Sequence, residues 1–194
     1  VIAVLLRAAP WPAIAGITCA SIITGVGALL LPQTRLGPFV LTIAFGLLAA
    51  ASAFALDEPA AEIVDVTPLG RPRRTAARAV TLIVPCGAGL VVVLIAAGQD
   101  AGWPVGRLGV AVVGNVLLGF AAAAVARRYA GQPGPLVASA ITLVLVTLSL
   151  VRPLAAYVAT AGGADASAVS SWAVVAGASV VVVLWAARDD RHSG

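Results

Sequence analysis

Six stretches of the chain, at residues 13–31, 39–56, 79–97, 105–126, 136–151 and 172–187, are almost entirely apolar, and Arg107 is the only charged residue in any of them. A bilayer core about 30 Å thick is crossed by roughly twenty such residues in a helix that rises about 1.5 Å per residue. Lipid offers the backbone no water to bond, so each stretch must satisfy its own N–H and C=O groups, and a helix does so within one segment. The expected fold is all-α: one integral membrane domain over residues 1–194 with six transmembrane helices.

Composition agrees. The chain is 61% hydrophobic and 10% charged, with a mean hydropathy of +1.06, whereas about a quarter of the residues in a soluble domain are charged. The net charge of +4 comes from arginine, because there is no lysine. Arg7, Arg71, Arg73, Arg74, Arg78, Arg127, Arg128, Arg188 and Arg191 fall at span ends on one side, and Arg35, Arg107 and Arg152 on the other. That excess places the first side and both termini in the cytoplasm. The basic balance therefore reports topology and not a nucleic-acid partner. The expected location is a bacterial plasma membrane, and the lysine-free, Ala-, Val- and Gly-rich composition suggests a high-GC genome.

The connections alternate between short and long. Residues 1–9 read as a short interfacial entry helix, closed by the break Pro10-Trp11-Pro12. Residues 32–38 form a tight return. The stretch 57–78, DEPAAEIVDVTPLGRPRRTAAR, holds half of the chain's acids and interrupts the apolar pattern for longest. Read as a helix from Asp57, it gathers Ala60, Ile63, Val64 and Thr67 on one face and Glu58, Glu62 and Asp65 on the other. This is the pattern of an amphipathic cytoplasmic segment. Residues 131–135 read as another tight turn. Residues 152–171, split by Gly162-Gly163, are too apolar for a solvated loop and too long for a turn, so a re-entrant segment is expected there.

Within the spans, Pro85 predicts a bend in the third helix. Ala111, Asn115, Gly119 and Ala123 recur every fourth residue, a small-residue stripe suited to close helix packing, with Asn115 able to bond across the contact. A substrate contact at Asn115 is the second reading. The hydroxyls of the fifth span, Ser139, Thr142, Thr147 and Ser149, are expected to bond back to their own helix. Cys19 and Cys86 are far from the single histidine, His192, so they read as buried small hydrophobes and not as metal ligands. No acid or histidine falls inside a span, which argues against a proton-driven carrier. No set of nucleophile, base and metal ligands shares one depth, so no catalytic, cofactor or metal residue is assigned. The chain also lacks a phosphate-binding loop ending in Lys.

The layout resembles the membrane subunit of ABC-2 type exporters: an entry helix, an amphipathic cytoplasmic segment between the second and third spans, six helices with both ends inside, and a re-entrant segment before the last. Ala55-Leu56-Asp57-Glu58-Pro59-Ala60, Thr67-Pro68 and the cluster Arg71, Arg73, Arg74 and Arg78 are similar to the corresponding segment of small actinobacterial ABC transporter membrane proteins. The resemblance implies that 57–78 is a coupling element. Asp57, Glu58, Glu62, Asp65, Arg71, Arg73 and Arg74 would contact a separate ABC ATPase subunit that binds ATP and Mg, while Asn115 and Gly119 would serve helix packing or the substrate pathway. A second membrane subunit, identical or different, would complete the permease. The alternatives from the residues alone are a non-transporting accessory subunit of a larger membrane complex and a membrane-embedded enzyme.

Overall fold

The computed structural model describes residues 9–31, 36–57, 71–99, 103–130, 132–150 and 166–188. All the described elements are helices. They are α1 (Trp11–Leu30), α2 (Leu36–Ala53), α3 (Arg71–Ala79), α4 (Ile83–Ala97), α5 (Val105–Ala126), α6 (Pro133–Leu150) and α7 (Ala166–Ala186); 3-10 turns follow α2 at Phe54–Leu56 and join α3 to α4 at Val80–Leu82. Four helical runs are long and apolar enough to cross a membrane: Trp11–Leu30, Leu36–Leu56, Arg73–Ala97 and Val105–Ala126. Pro133–Val144 and Trp172–Ala186 are shorter apolar helical stretches.

Two helices form the centre. α2 packs on α1, α5 and α6, and α5 packs on α2, α4, α6 and α7. Small residues make these approaches possible. A Cβ added at Gly119 would overlap the Ala49 carbonyl and the Ser52 hydroxyl of α2, one at Gly89 would overlap Val112, and one at Gly25 would sit 2.9 Å from Val92. Close backbone approach of this kind replaces the hydrophobic drive that lipid does not supply. The Ser21 hydroxyl adds a buried bond, donating 2.8 Å to the Ala44 carbonyl and tying α1 to α2. Large aliphatics point the other way: Ile23, Leu30, Leu90, Leu143 and Val174 are all exposed. A surface this rich in large apolar side chains suits a lipid surround.

Helix ends depart from expectation in four places. Pro10-Trp11-Pro12 is not a break before the first span, because Trp11 and Pro12 form the first turn of α1, where proline's missing N–H costs nothing. Pro133-Gly134-Pro135 likewise opens α6 and is not part of a turn. Arg71–Ala79 is helix and leads into the third span, which therefore begins at Arg73 and not at residue 79. A 3-10 turn at Val80–Leu82 precedes Pro85. Pro85 cannot donate to the Thr81 carbonyl, and the turn before it tightens, with the Thr81 hydroxyl donating 2.7 Å to the Arg78 carbonyl. Residues 166–171 belong to α7 and are not a separate re-entrant piece, since no Gly or Pro interrupts the helix between Ala166 and Trp172. The rest of that segment, 152–165, lies outside the described residues, as do residues 1–8 of the expected entry helix and the acidic stretch 58–70.

The packing at Gly119 gives the first test. Gly119→Leu must separate α2 from α5 and is expected to cost about 1–3 kcal/mol or abolish assembly, read as a lower melting temperature and yield of the purified protein. Leu118→Ala, on the exposed neighbouring position, is expected to be much milder; equal losses would contradict this packing.

Candidate functional site

Two features stand out from the packed helices, and α2, α5 and α6 contribute to both. The first is a cavity of about 800 Å³ running along α5 between α2, α6 and Trp172 of α7. α5 presents Arg107, Ala111, Asn115, Leu118, Ala122 and Val125 to it, a single face at helical spacing. α2 contributes Pro38 to Ala49, and α6 contributes Leu136 to Val144. The stripe singled out in the sequence therefore divides. Gly119 and Ala123 are packed into the interior, and Ala111 and Asn115 reach the cavity wall. Asn115 does not bond across a helix contact as expected: its amide donates 2.9 Å to the Ala111 carbonyl of its own helix. Thr42 does the same, donating 2.9 Å to Pro38, and so do Ser139 and Thr142 on α6, as expected of hydroxyls in membrane helices.

The second feature is a polar seam where the arginine-bearing helix ends meet. α2 closes in the Phe54–Leu56 turn, and Asp57 follows with extended backbone, so its side chain turns inward. Asp57 is 6% exposed, and its Oδ1 accepts the Gly134 N–H at 2.6 Å, satisfying one of the unpaired donors of the first turn of α6. Gly134 is required at that point, because a Cβ there would lie 2.8 Å from Phe54 and crowd the Asp57 carboxylate. Burial pushes the Asp57 carboxyl above its ordinary range, against the lowering effects of the Gly134 N–H and of the charges on Arg78 and Arg127. Arg78, on α3, is fully buried beside this group, and Arg74 one turn earlier is buried too. Around the corner, the Arg128 guanidinium lies 4.2 Å from the centre of the Trp185 ring. It donates to the carbonyls of Trp185 and Ala186, which end α7. A cation at a helix C-terminus meets both the orphan carbonyls and the dipole.

The seam gathers the ends of α2, α3, α5 and α7 with the start of α6, and Arg107 and Trp103 lie at the far end of α5. The arginine-rich ends therefore share one side of the bundle, the arrangement that the alternating count of arginines requires. Of the residues expected at a coupling surface, Arg73 is exposed, whereas Asp57 and Arg74 are buried. Asp57 is thus a structural link between α2 and α6 and not part of a water-facing acidic row. Glu58, Glu62 and Asp65 lie outside the described residues, and Arg71 is described as helix without its side chain. The cysteines correct another expectation: Cys19 is exposed on the outer side of α1 and Cys86 is half-buried, since an apolar run in lipid does not imply an interior position.

Sequence reasoning missed the seam. An acid directly after a span and a Pro-Gly-Pro helix start 77 residues later carry no shared local signal. These features define a class, a helical multi-pass membrane protein with a lengthwise apolar cavity. No protein-family model, curated protein or solved structure matches the chain.

Asp57 generates a pH prediction. Below the ordinary carboxylate value of 3.8 the group is protonated in both the folded and the unfolded chain. As pH rises through the raised folded value, the buried carboxyl must ionise, and that increment of stability is lost. Melting temperature is expected to fall across this window in the wild type and to fall less in Asp57→Asn, which keeps an acceptor for Gly134. Identical pH profiles would show that Asp57 does not titrate with folding. Asp57→Ala, which leaves the Gly134 N–H without its acceptor, is expected to cost about 1–3 kcal/mol at any pH.

Proposed function

We propose that this chain is the membrane subunit of an ATP-driven exporter of the ABC-2 type, set in a bacterial plasma membrane with six spans and both termini in the cytoplasm. The observation that carries the reading is the cavity along α5. A path for a substrate needs space between helices at membrane depth, and α2, α5 and α6 leave such a space while packing tightly elsewhere. The described spans place no catalytic set around it, so movement of a ligand suits the cavity better than its conversion.

The energy would come from a separate ATPase subunit holding ATP and Mg, engaged through residues 57–78. The seam supports this division of labour. Asp57 stands at the base of that segment and is bonded to the first turn of α6, which forms one wall of the cavity. A push on the segment would reach α6 through Asp57 and α4 through the helix that begins at Arg71. Glu58, Glu62, Asp65 and Arg73 are the residues assigned to the ATPase contact, with Asp57 and Arg74 transmitting it. A second membrane subunit would face this one.

The test is affinity purification from native membranes with mass spectrometry of the bound chains. A co-purifying chain with a GxxxxGK[ST] loop is expected. Reversal of Glu58, Glu62 and Asp65 to arginine should leave the helices inserted and remove that chain, or leave its ATP hydrolysis uncoupled from transport. Exposed charges contribute roughly 0.2–1 kcal/mol each, so the three must be changed together. Retention of the ATPase and of full transport in the triple variant would rule out coupling through this segment, and purification with stable partners but no ATPase would favour an accessory subunit.

A further inference from the structure

Asn115 stands in the middle of α5, at the wall of the cavity. One N–H of its amide donates 2.9 Å to the Ala111 carbonyl, and since a carbonyl only accepts, that bond fixes which way the amide is turned. The Oδ1 atom accepts nothing from the described residues and is not closed off by packing. Thr42, on the α2 wall, donates its hydroxyl proton 2.9 Å to the Pro38 carbonyl and keeps only its lone pairs. At mid-depth the cavity therefore offers two acceptors and a single spare N–H. The wall around them is uncharged and apolar, through Phe45, Ala49, Leu118 and Ala122. Arg107, about two turns earlier and roughly 12 Å away along the axis, already has a partner. The cavity also opens sideways, because its lining residues Leu118, Leu136 and Val144 are exposed on the outer surface. At membrane depth such an opening faces acyl chains and not water.

We propose that the cavity binds one uncharged aliphatic molecule that carries a hydroxyl group and enters sideways from the bilayer. Its hydroxyl donates to Asn115 Oδ1, and its chain lies along Leu118 and Ala122 toward Val125. This rests on the reading of the cavity as the substrate path and names the class of compound that enters it. An acceptor left bare in an apolar space costs free energy, and a donor on the ligand supplies what water would supply elsewhere. Carboxylates and phosphates bring only acceptors, which Oδ1 and Thr42 repel. An ammonium group donates, but its charge would be stripped of water beside an uncharged wall. An ether or a plain hydrocarbon fills the same space and leaves Oδ1 bare. A hydroxyl donates to Oδ1, can accept the spare N–H on the same atom, and carries no charge. From Asn115 to Val125 the wall runs about 15 Å along α5, enough to lay out an extended chain. About 800 Å³ lies within the range of roughly 300–1,000 Å³ typical of sites that enclose a small molecule.

The test places the full chain in dioleoyl phosphatidylcholine vesicles with a 1-dodecanol that carries a diazirine in its chain. After illumination, mass spectrometry of the digested protein locates the cross-link, and unlabelled competitors are added over a range of mole fractions in the bilayer. Cross-links are expected on Leu118, Ala122, Val125 or Ile141. Unlabelled 1-dodecanol should displace the label at a mole fraction about fivefold lower than dodecyl methyl ether, which has the same chain and no donor; that is the scale of one net hydrogen bond. In Asn115→Leu the two competitors should become equal. Ala122→Phe fills the aliphatic half and should abolish the cross-link; Ala140→Phe, reaching the same space from α6, gives the same reading if the first variant fails to fold. The comparison of the two competitors on the wild type needs no variant. Equal displacement by alcohol and ether there would overturn the proposal. So would a preference that survives Asn115→Leu, or cross-links confined to outward residues such as Leu90 and Val174. No ATPase is present in this measurement. Selective labelling of a chain that purifies without an ATPase would sink the exporter reading alone, and an ATPase-bound chain that shows no preference for the alcohol would sink this assignment alone.

Discussion

The contact of α2 with α5 at Gly119 supports the rest of the bundle. Lipid gives two helices little hydrophobic reason to associate, so they associate where their backbones can approach and dispersion contacts accumulate. With no side chain at Gly119, α5 reaches the Ala49 carbonyl and the Ser52 hydroxyl, and the Ser52 hydroxyl is itself bonded to Ala49 at 2.8 Å. α1 and α4 then close against one side of this pair through Gly25, Gly89 and Ser21, and α7 leans on α5 with Trp172 against Gly114. The cavity is the complement of these contacts. It lies along the face of α5 that carries Asn115, Leu118 and Ala122, one step around the helix from Gly119.

Charge is handled differently at the two ends of the bundle. At the end with many arginines, a buried acid and buried arginines are drawn into the junction of several helices. Burying Asp57 is costly, and its bond to Gly134 and the nearby positive charges offset part of that cost. The junction therefore holds the α2 end against the α6 start through a polar contact whose geometry is specific. At the other end Arg107 stands over an apolar space. Any movement of α6 relative to α5 would change the width of the space beneath.

Much of this architecture is legible in the residues. The span from 105 to 126 is read to the residue, because Pro104 opens it and Arg127 closes it. The spans that begin near proline are read two or three residues short, because Pro12 and Pro135 look like breaks and are in fact first-turn residues. The four-residue stripe on α5 marks a packing face at Gly119 and Ala123, but the role of Asn115 is not readable from spacing. An asparagine on a helix can donate to its own backbone or to a neighbour, and only the distance to a neighbour decides between them.

What the sequence determines alone is the class of element and its medium. Long uncharged runs must be helices in lipid, most hydroxyls within them turn back on their own carbonyls, and the distribution of arginine assigns their ends to two sides. Each of these follows from residues close together in the chain. Which small residue meets which carbonyl, and which acid is drawn inward, depends on residues far apart. Asp57 reads as one more water-facing acid until Gly134 comes within 2.6 Å of it. The cavity along α5 likewise has no residue pattern of its own, since it is the space left when α2, α5 and α6 meet at glycine and alanine in one place and hold larger side chains apart in another.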